Sequence, residues 1–248
     1  MKEYGTRTFG ELYAERYDVM YEDPMVTETH DSVETLAELA GDGKVLELAI
    51  GTGRVALPLA ARGLTVHGIE ASEAMVAKLR EKPGGSAIPV EIGDMAEARV
   101  EGTFDLIYLV FNTIFNLTTQ EAQVRCFKNA ARHLSARGMF VVETVVPDFS
   151  EYVDGQRMKG SWANMDAARF EIAIQDRVAQ TVAFQRIVIS EDSTRMVPHF
   201  MRYAWPSELD LMAQLAGLER RNRWAWWDRS PFTADSKSHV TVYAHAGQ

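Results

Sequence analysis

Over the first 145 residues, short unbroken apolar runs alternate with stretches whose apolar positions recur at three and four. The run Lys44 to Ala49 (KVLELA) is bounded by Gly43 and Gly51, as a strand buried on both faces would be. Arg54 to Arg62 follows with Val55, Leu57, Leu59 and Ala60 at helical spacing, and Thr29 to Leu39 precedes it with Val33, Leu36, Ala37 and Leu39 on one face. Thr65 to Ile69 predicts a second strand ending at Glu70. Ser72 then caps a helix through Lys82, with Met75, Val76 and Leu79 inward, and Pro83-Gly84-Gly85 closes it. Ala87 to Ile92 predicts a third strand, Phe104 to Val110 a fourth and Thr119 to Leu134 an amphipathic helix. After a turn at Ala136-Arg137-Gly138, Met139 to Val145 makes a fifth strand. Strand and helix in this alternation predict an α/β protein with a doubly wound, mostly parallel sheet.

Beyond Pro147 the period changes to two. Arg169 to Gln175, Val182 to Ile189 and Met196 to Tyr203 read as antiparallel strands with one wet face, an insert after the fifth strand. A Pro206-led helix ends at Gly217, and two further strands, Glu219 to Trp226 and His239 to His245, complete the main sheet. At the other end, Tyr13, Tyr17 and Tyr21 recur every four residues and would share one face of a helix. That stripe either packs the helix down or forms an aromatic lid. The expected organisation is one domain over 1–248, with 1–27 as an N-terminal lid segment and 148–205 as a substrate-side insert.

Composition narrows the chemistry. Lys and Arg total 26 against 35 Asp and Glu, a net charge of −9, and the basic residues are scattered, so a nucleic-acid partner is disfavoured. The single cysteine, Cys126, excludes an internal disulfide and a cysteine-based zinc site. The first residues have no apolar leader segment and no window reaches membrane-spanning length, so the expected location is cytoplasmic, with no membrane partner.

Four strand ends meet on one edge of the predicted sheet, where open α/β sheets bind ligands. Gly51 and Gly53 follow the first strand and permit close backbone approach between a strand and a helix N-terminus. Glu70 lies about twenty residues after the glycine loop, the spacing at which an acid accepts ribose hydroxyls. Asp94 and Met95 end the third strand and suit an adenine ring, and Val110-Phe111-Asn112 ends the fourth. A dinucleotide fingerprint would need a third glycine where Ala56 stands, and there is no phosphate-loop lysine.

The motifs E47-L-A-I-G-T-G53, G68-I-E-A-S72 and G93-D-M95 resemble those of class I S-adenosylmethionine-dependent methyltransferases, over about Glu34 to Pro147 and in that family's order. The resemblance implies a Rossmann-like, seven-stranded sheet with the last strand antiparallel, and S-adenosylmethionine as cofactor. It implies that Glu47, Gly51 and Gly53, with Ala49 and Arg54 beside them, frame the methionine part. Glu70 and Ala71 would hold the ribose, Asp94 and Met95 the adenine, with Met75 and Val110 lining the site. Tyr17-Asp18-x-x-Tyr21 and the insert resemble the small-molecule group, above all aminosugar and glycine-type N-methyltransferases. Where aminosugar enzymes place a histidine after the fourth strand, this chain offers Asn116.

Methyl transfer from a sulfonium needs mainly alignment and exclusion of water. A hydroxyl acceptor gains from a base in reach, whereas an amine needs only to arrive neutral. His199 is the candidate base, ahead of His30 and Glu143. Tyr13, Tyr17 and Tyr21 could box the sulfonium, because aromatic faces attract cations. Trp162, Phe200, Tyr203, Trp205, Trp224, Trp226 and Trp227 crowd the region after Pro147, where those not packing the core would line a partly apolar acceptor pocket. Phe111-Asn112-Thr113 provides no carboxylates for a metal. The expectation is metal-independent methylation of an amine or hydroxyl on a small molecule, with a homodimer through the insert's exposed strand edges. The competing readings are a non-catalytic S-adenosylmethionine sensor or scaffold, an RNA methyltransferase and an NAD-dependent oxidoreductase.

Overall fold

The computed structural model describes residues 8–18 and 29–247, apart from the side chains of residues 9, 16, 29 and 30. Tyr21, and the side chain of His30, lie outside the described residues. In chain order the first half holds α1 (Thr8–Tyr13), α2 (Thr29–Ala40), β1 (Val45–Leu48), α3 (Ala56–Ala61), β2 (Val66–Glu70), α4 (Glu73–Glu81) and β3 (Val90–Ile92). These are followed by β4 (Phe104–Leu109), α5 (Gln120–His133) and β5 (Leu134–Val145). Four strands come next, β6 (Gln156–Ala163), β7 (Ala167–Asp176), β8 (Thr181–Ser190) and β9 (Thr194–Arg202), then α6 (Pro206–Leu215), β10 (Leu218–Trp224) and β11 (Ser238–His245).

Seven strands form one sheet in the order β10-β11-β5-β4-β1-β2-β3, and β6 to β9 form a second, four-stranded antiparallel sheet. β1 pairs in parallel with β2 and β4, while β11 runs antiparallel to both of its neighbours, β5 and β10. All four residues of β1 are buried, as its uninterrupted apolar pattern requires of a strand covered on both faces. Leu46 and Leu48 face a layer containing Phe127 of α5 and Leu209 and Met212 of α6; Val45 faces Leu36, Leu59 and Leu79 of α2, α3 and α4. In the first layer the Phe127 ring stands edge-on to Phe140 at 5.3 Å and to Tyr243 at 5.6 Å. Helix ends follow the sequence signals: Ser72 Oγ accepts from Met75 N–H and Thr119 Oγ1 from Ala122 N–H, capping α4 and α5.

A buried polar cluster ties the second sheet to the first. Arg202, at the end of β9, donates to Glu208 Oε1 of α6 at 2.7 Å and to Gln123 Oε1 of α5 at 2.7 Å, and Gln123 Nε2 returns a bond to Arg202 O at 2.9 Å. The guanidinium is almost wholly buried, so its charge is tolerated only because these partners satisfy it.

The structure corrects the predicted elements at four places. The third strand starts only at Val90: residues 85–87 form a 3-10 turn, and Pro89, lacking an N–H, enters the ladder only through its carbonyl, which accepts from Gly68 N–H at 2.9 Å. The expected turn at 136–138 is a bulge within β5: Leu134 pairs with Phe104 and Met139 with Leu106, leaving 135–138 between them. β6 was not predicted, because most of its residues are exposed and its pattern is broken at Gly160, where the pairing with β7 shifts register before Trp162. The α-helical stripe through Tyr13 and Tyr17 is interrupted by a 3-10 turn at Ala14–Arg16. At three residues per turn, positions four apart no longer share a face. Tyr13 is buried, whereas Tyr17 is only half-buried and borders the clefts described below.

Candidate active site

The carboxyl ends of β1, β2, β3 and β4 converge on one edge of the sheet, and the loops that leave them surround a narrow cleft of about 70 Å³. Its walls include Ala49 and Gly51 after β1, Glu70 and Ala71 after β2, and Gly93, Asp94 and Met95 after β3. Thr113, Asn116 and Leu117 come from the 3-10 turn after β4, and Met75, Gly10 and Tyr17 close it. A small extension of about 30 Å³ adds Glu47, Arg54, Val110 and Phe111.

The first loop is shaped by left-handed backbone. Ala49, Gly51 and Gly53 have φ of 58°, 56° and 79°. A Cβ at Gly51 would meet nothing nearer than 4.0 Å and would stand in open space at the wall of the cleft. At Gly53 it would strike Leu79 Cδ1 at 2.4 Å, so this glycine serves the packing of loop on helix and does not border the cleft. Glu70 locks the loop from the next strand: Gly51 N–H donates to its Oε2 and Ser72 N–H to its Oε1, both at 2.9 Å. Burial nevertheless raises its carboxyl above the ordinary range, outweighing those bonds. Glu47 accepts from the Tyr108 hydroxyl at 2.8 Å, and burial pushes its carboxyl up to about 8. Asp94 Oδ1 accepts from Ala96 N–H at 2.8 Å, and Met95 O accepts from Asn129 Nδ2 at 3.0 Å, which holds the third strand end in place.

Residues before Asp18 cross the mouth of the cleft. A Cβ on Gly10 would lie 2.4 Å from Ser72 Cβ, so α1 sits directly on the start of α4. Asp18 accepts from Thr52 Oγ1 at 2.6 Å and pairs with Lys82 at 2.7 Å, and Lys82 also donates to Thr52 O at 2.9 Å. This cluster stitches the N-terminal segment to the glycine loop.

A second, larger cavity of about 410 Å³ lies between the end of β4 and the inward face of the four-stranded sheet. Phe111, Phe115, Phe149, Tyr152, Phe184 and Tyr203 line it, with Arg157, Glu171, Arg186 and His199 on the sheet side. Of the tryptophans after Pro147, Trp162 and Trp205 are exposed and Trp227 is buried elsewhere. Glu171 pairs with both Arg157 and Arg186. His199 Nε2 lies 3.0 Å from Asn116 Oδ1, and burial together with nearby Arg186 lowers its pKa to about 4. Tyr17, Thr113 and Asn116 border both cavities and mark the passage between them.

The wall around that passage carries backbone strain in residues other than glycine. Phe111 and Asn112 have φ of 65° and 60°. Phe111 N–H donates to Glu143 Oε2 at 3.0 Å, Val145 N–H to Asn112 Oδ1 at 2.6 Å, and the Arg54 guanidinium lies 3.8 Å from the Phe111 ring centre. Such strain persists only where surrounding contacts over-determine it. Glu143 is therefore occupied in holding this turn; it is buried and borders neither cavity.

Of the expected cofactor residues, Tyr17, Glu47, Ala49, Gly51, Arg54, Glu70, Ala71, Met75, Asp94, Met95 and Val110 surround the cleft or its extension, whereas Tyr13 and Gly53 do not. His199 stands on the second cavity, and Tyr21 lies outside the described residues. Sequence reasoning did not place Gly10, Thr113, Asn116 or Leu117 on the cleft wall. The one signal was Asn116 at the position where aminosugar enzymes place a histidine. Among the described residues no three His, Cys, Asp or Glu side chains group as a metal would require, and no helix is long and apolar enough to cross a membrane.

The donor set suits S-adenosylmethionine: a carboxylate at the second strand end for hydroxyls, a second buried carboxyl near a cationic group, and a glycine whose missing side chain leaves room at the wall. A doubly wound seven-stranded sheet with an antiparallel β11 and this glycine–Glu70–Asp94 edge defines the class I S-adenosylmethionine-dependent methyltransferases, and the chain belongs to them. Residues 45–138 match the methyltransferase domain family. The CcbJ methyltransferase of Streptomyces caelestis is 36% identical, with a TM-score of 0.91 over 98% of this chain and 100% of that one. The cypemycin N-terminal methyltransferase of a Streptomyces species is 26% identical over 205 residues, 81% of this chain and 83% of that protein. CalS10, an amino pentose methyltransferase from Micromonospora echinaspora solved with S-adenosylmethionine bound, shares the fold at 20% identity, with a TM-score of 0.68 over 91% of this chain and 95% of that one.

Proposed function

We propose that the chain methylates an amine nitrogen on a small, partly aromatic or apolar molecule, and that the acceptor occupies the 410 Å³ cavity beneath the four-stranded sheet. The observation that carries this reading is the junction: Tyr17, Thr113 and Asn116 are shared by the cofactor cleft and the acceptor cavity. S-adenosylmethionine, when bound, supplies a methyl group on a sulfonium. The acceptor nitrogen's lone pair forms the new C–N bond as the C–S bond breaks with its electron pair left on sulfur, and the product ammonium releases its proton to solvent.

In this reading Glu70 holds the ribose, Asp94 and Met95 the adenine, and Glu47, Ala49, Gly51 and Arg54 the methionine end. Tyr17 stands at the junction, where its ring would favour the sulfonium. The surroundings favour nitrogen over oxygen. A hydroxyl must surrender its proton to a base, and His199, held near 4, is too weak a base for an alcohol, while Glu143 is committed to the Phe111 turn. The name of one relative, the cypemycin N-terminal methyltransferase, supports an amine acceptor.

Radiolabelled S-adenosylmethionine offered with a panel of secondary amines, primary amines, phenols and alcohols tests the assignment. Label is expected in amines with rings or apolar arms; transfer confined to hydroxyls, or none despite cofactor binding, would overturn it.

A second copy is proposed to cover the outward face of the four-stranded sheet. Alternation puts Met158, Ile172, Ile174, Ile189 and Met196 on that face, all exposed. Four strands of this length span roughly 19 by 30 Å. Two copies face to face would bury about 1,100 Å², at the small end of specific interfaces and just above the floor of about 1,000 Å².

A further inference from the structure

We propose that the charged end of the large cavity is a subsite for a carboxylate carried by the acceptor, with Arg157 and Arg186 as its specificity-determining residues. This rests on the reading of that cavity as the acceptor's. Arg157, Glu171 and Arg186 border it on the sheet side, in a wall that also holds Phe111, Phe149, Tyr152 and Phe184. Glu171 lies directly opposite Arg186 in the ladder and accepts from its Nε at 3.3 Å, while the other carboxylate oxygen accepts from Arg157 of β6. Charged groups in so aromatic a wall cost desolvation that apolar side chains there would not. A charge brought by the ligand offsets that cost.

The triad is one charge positive, because two guanidiniums share one carboxylate, in a chain whose net charge is −9. Its ion-pair neighbours do not cancel the excess. Glu151 comes within 3.6 Å of Arg157 but is held at 2.8 Å by Lys159, and the half-exposed Asp148 pairs with Lys237 at 3.6 Å. Among the described residues these four cations face three acids. The positive field extends across the cavity, where burial and, after it, the charge of Arg186 lower His199 to about 4. A carboxylate from the acceptor gives each guanidinium one carboxylate and leaves the cluster neutral.

The ladder also sets the shape of that acceptor. Arg186 is two residues along β8 from Phe184, which stands opposite His199, so the triad lies one pleat, roughly 7 Å, beyond the row that meets Asn116. Asn116 borders the cofactor cleft as well. An acceptor with its nitrogen at that junction and its carboxylate on the arginines holds the two groups several bonds apart, with a ring or apolar arm between them against the aromatic wall. Anchored at both ends, the nitrogen is aligned for attack on the methyl group.

Calorimetry on the full chain with S-adenosylhomocysteine present tests this with three probes: 4-(aminomethyl)benzoate, 4-(aminomethyl)benzamide and benzylamine. The carboxylate is expected to bind about tenfold more tightly than the amide, the order of one hydrogen bond to a charged group, with benzylamine no tighter than the amide. Arg157→Gln and Arg186→Gln should each bring the acid-to-amide ratio toward one. Glu171→Gln, which adds a positive charge, should raise that ratio, a direction that loosened packing of the sheet would not produce. In turnover the preference should appear in KM with kcat little changed. A wild-type ratio of one or less, or a ratio unmoved by all three variants, would overturn the proposal. Preferential binding of the acid without methylation of any amine would instead refute the function it rests on, and failure of all three probes to bind would refute the placement of the acceptor in this cavity.

Discussion

Glu47 offers a quantitative test of how the first strand end meets the cofactor. Its carboxyl is buried, bonded to Tyr108 and raised from 4.5 to about 8, so at pH 7 about nine in ten ligand-free molecules carry it protonated. If Glu47 faces the cationic methionine end, binding requires the ionised form. Affinity should then rise roughly ninefold from pH 6 to 7, about fivefold from pH 7 to 8, and less than twofold beyond, as the ionised fraction saturates. Calorimetry in buffers of different ionisation enthalpy should count close to one proton released per cofactor bound at pH 7 and about half of one at pH 8. The cofactor's α-amino group titrates in the same window, so Glu47→Gln is the reference: it should lose the Glu47 share of both the slope and the proton release. The same carboxyl links pH to stability. Because its folded pKa lies above the unfolded value, its contribution is full below about pH 4.5 and is lost as pH rises through about 8, at up to roughly 1.4 kcal/mol per unit, and Glu47→Gln removes that slope. Cofactor affinity with the same pH slope in wild type and Glu47→Gln would refute the placement of this acid against the cationic end.

Three further outcomes follow from the geometry. Glu70→Ala should weaken S-adenosylhomocysteine binding by about 1 to 3 kcal/mol in calorimetry, because it strands ribose hydroxyls and the N–H groups of Gly51 and Ser72; unchanged affinity would move the ribose elsewhere. Asp18→Asn should raise the cofactor Kd by up to about fivefold and speed its release in stopped flow, since the partly exposed Asp18–Lys82 pair that stitches the mouth of the cleft is worth at most about 1 kcal/mol. Arg202→Ala should destabilise the chain by about 3 kcal/mol in urea unfolding, because it leaves the buried Gln123 and the half-buried Glu208 without their charged partner; a loss within the error of the method would show that the insert is anchored by other contacts.

What the sequence made legible is what local chemistry encodes. Gly51, Glu70, Asp94 and Ser72 could be placed because a strand end, an acid or a helix cap is announced by its immediate neighbours, and parallel strands bring such ends to one edge. Tyr13 and Tyr17 were misread as one stripe because four-residue spacing was extended through a stretch that tightens to three residues per turn at Ala14–Arg16. β6 carried too little apolar alternation to be seen, being an edge strand with no buried residue. The left-handed pair Phe111-Asn112 lacks the glycine that would advertise it; its conformation is imposed by Glu143, Val145 and Arg54, which are distant in sequence. The contact of Asn116 with His199 depends on how one sheet settles against the other, so neither residue's own surroundings could disclose it.

The central claim is that methyl donor and acceptor meet where the two cavities share Tyr17, Thr113 and Asn116. A crystal structure of the full chain with S-adenosylhomocysteine bound tests it most directly. The account predicts ribose hydroxyls on Glu70, adenine between Asp94 and Met95, and the sulfur at that junction, facing the cavity that holds His199. A sulfur directed away from those three residues, or a ligand seated outside the Gly51 loop, would contradict it.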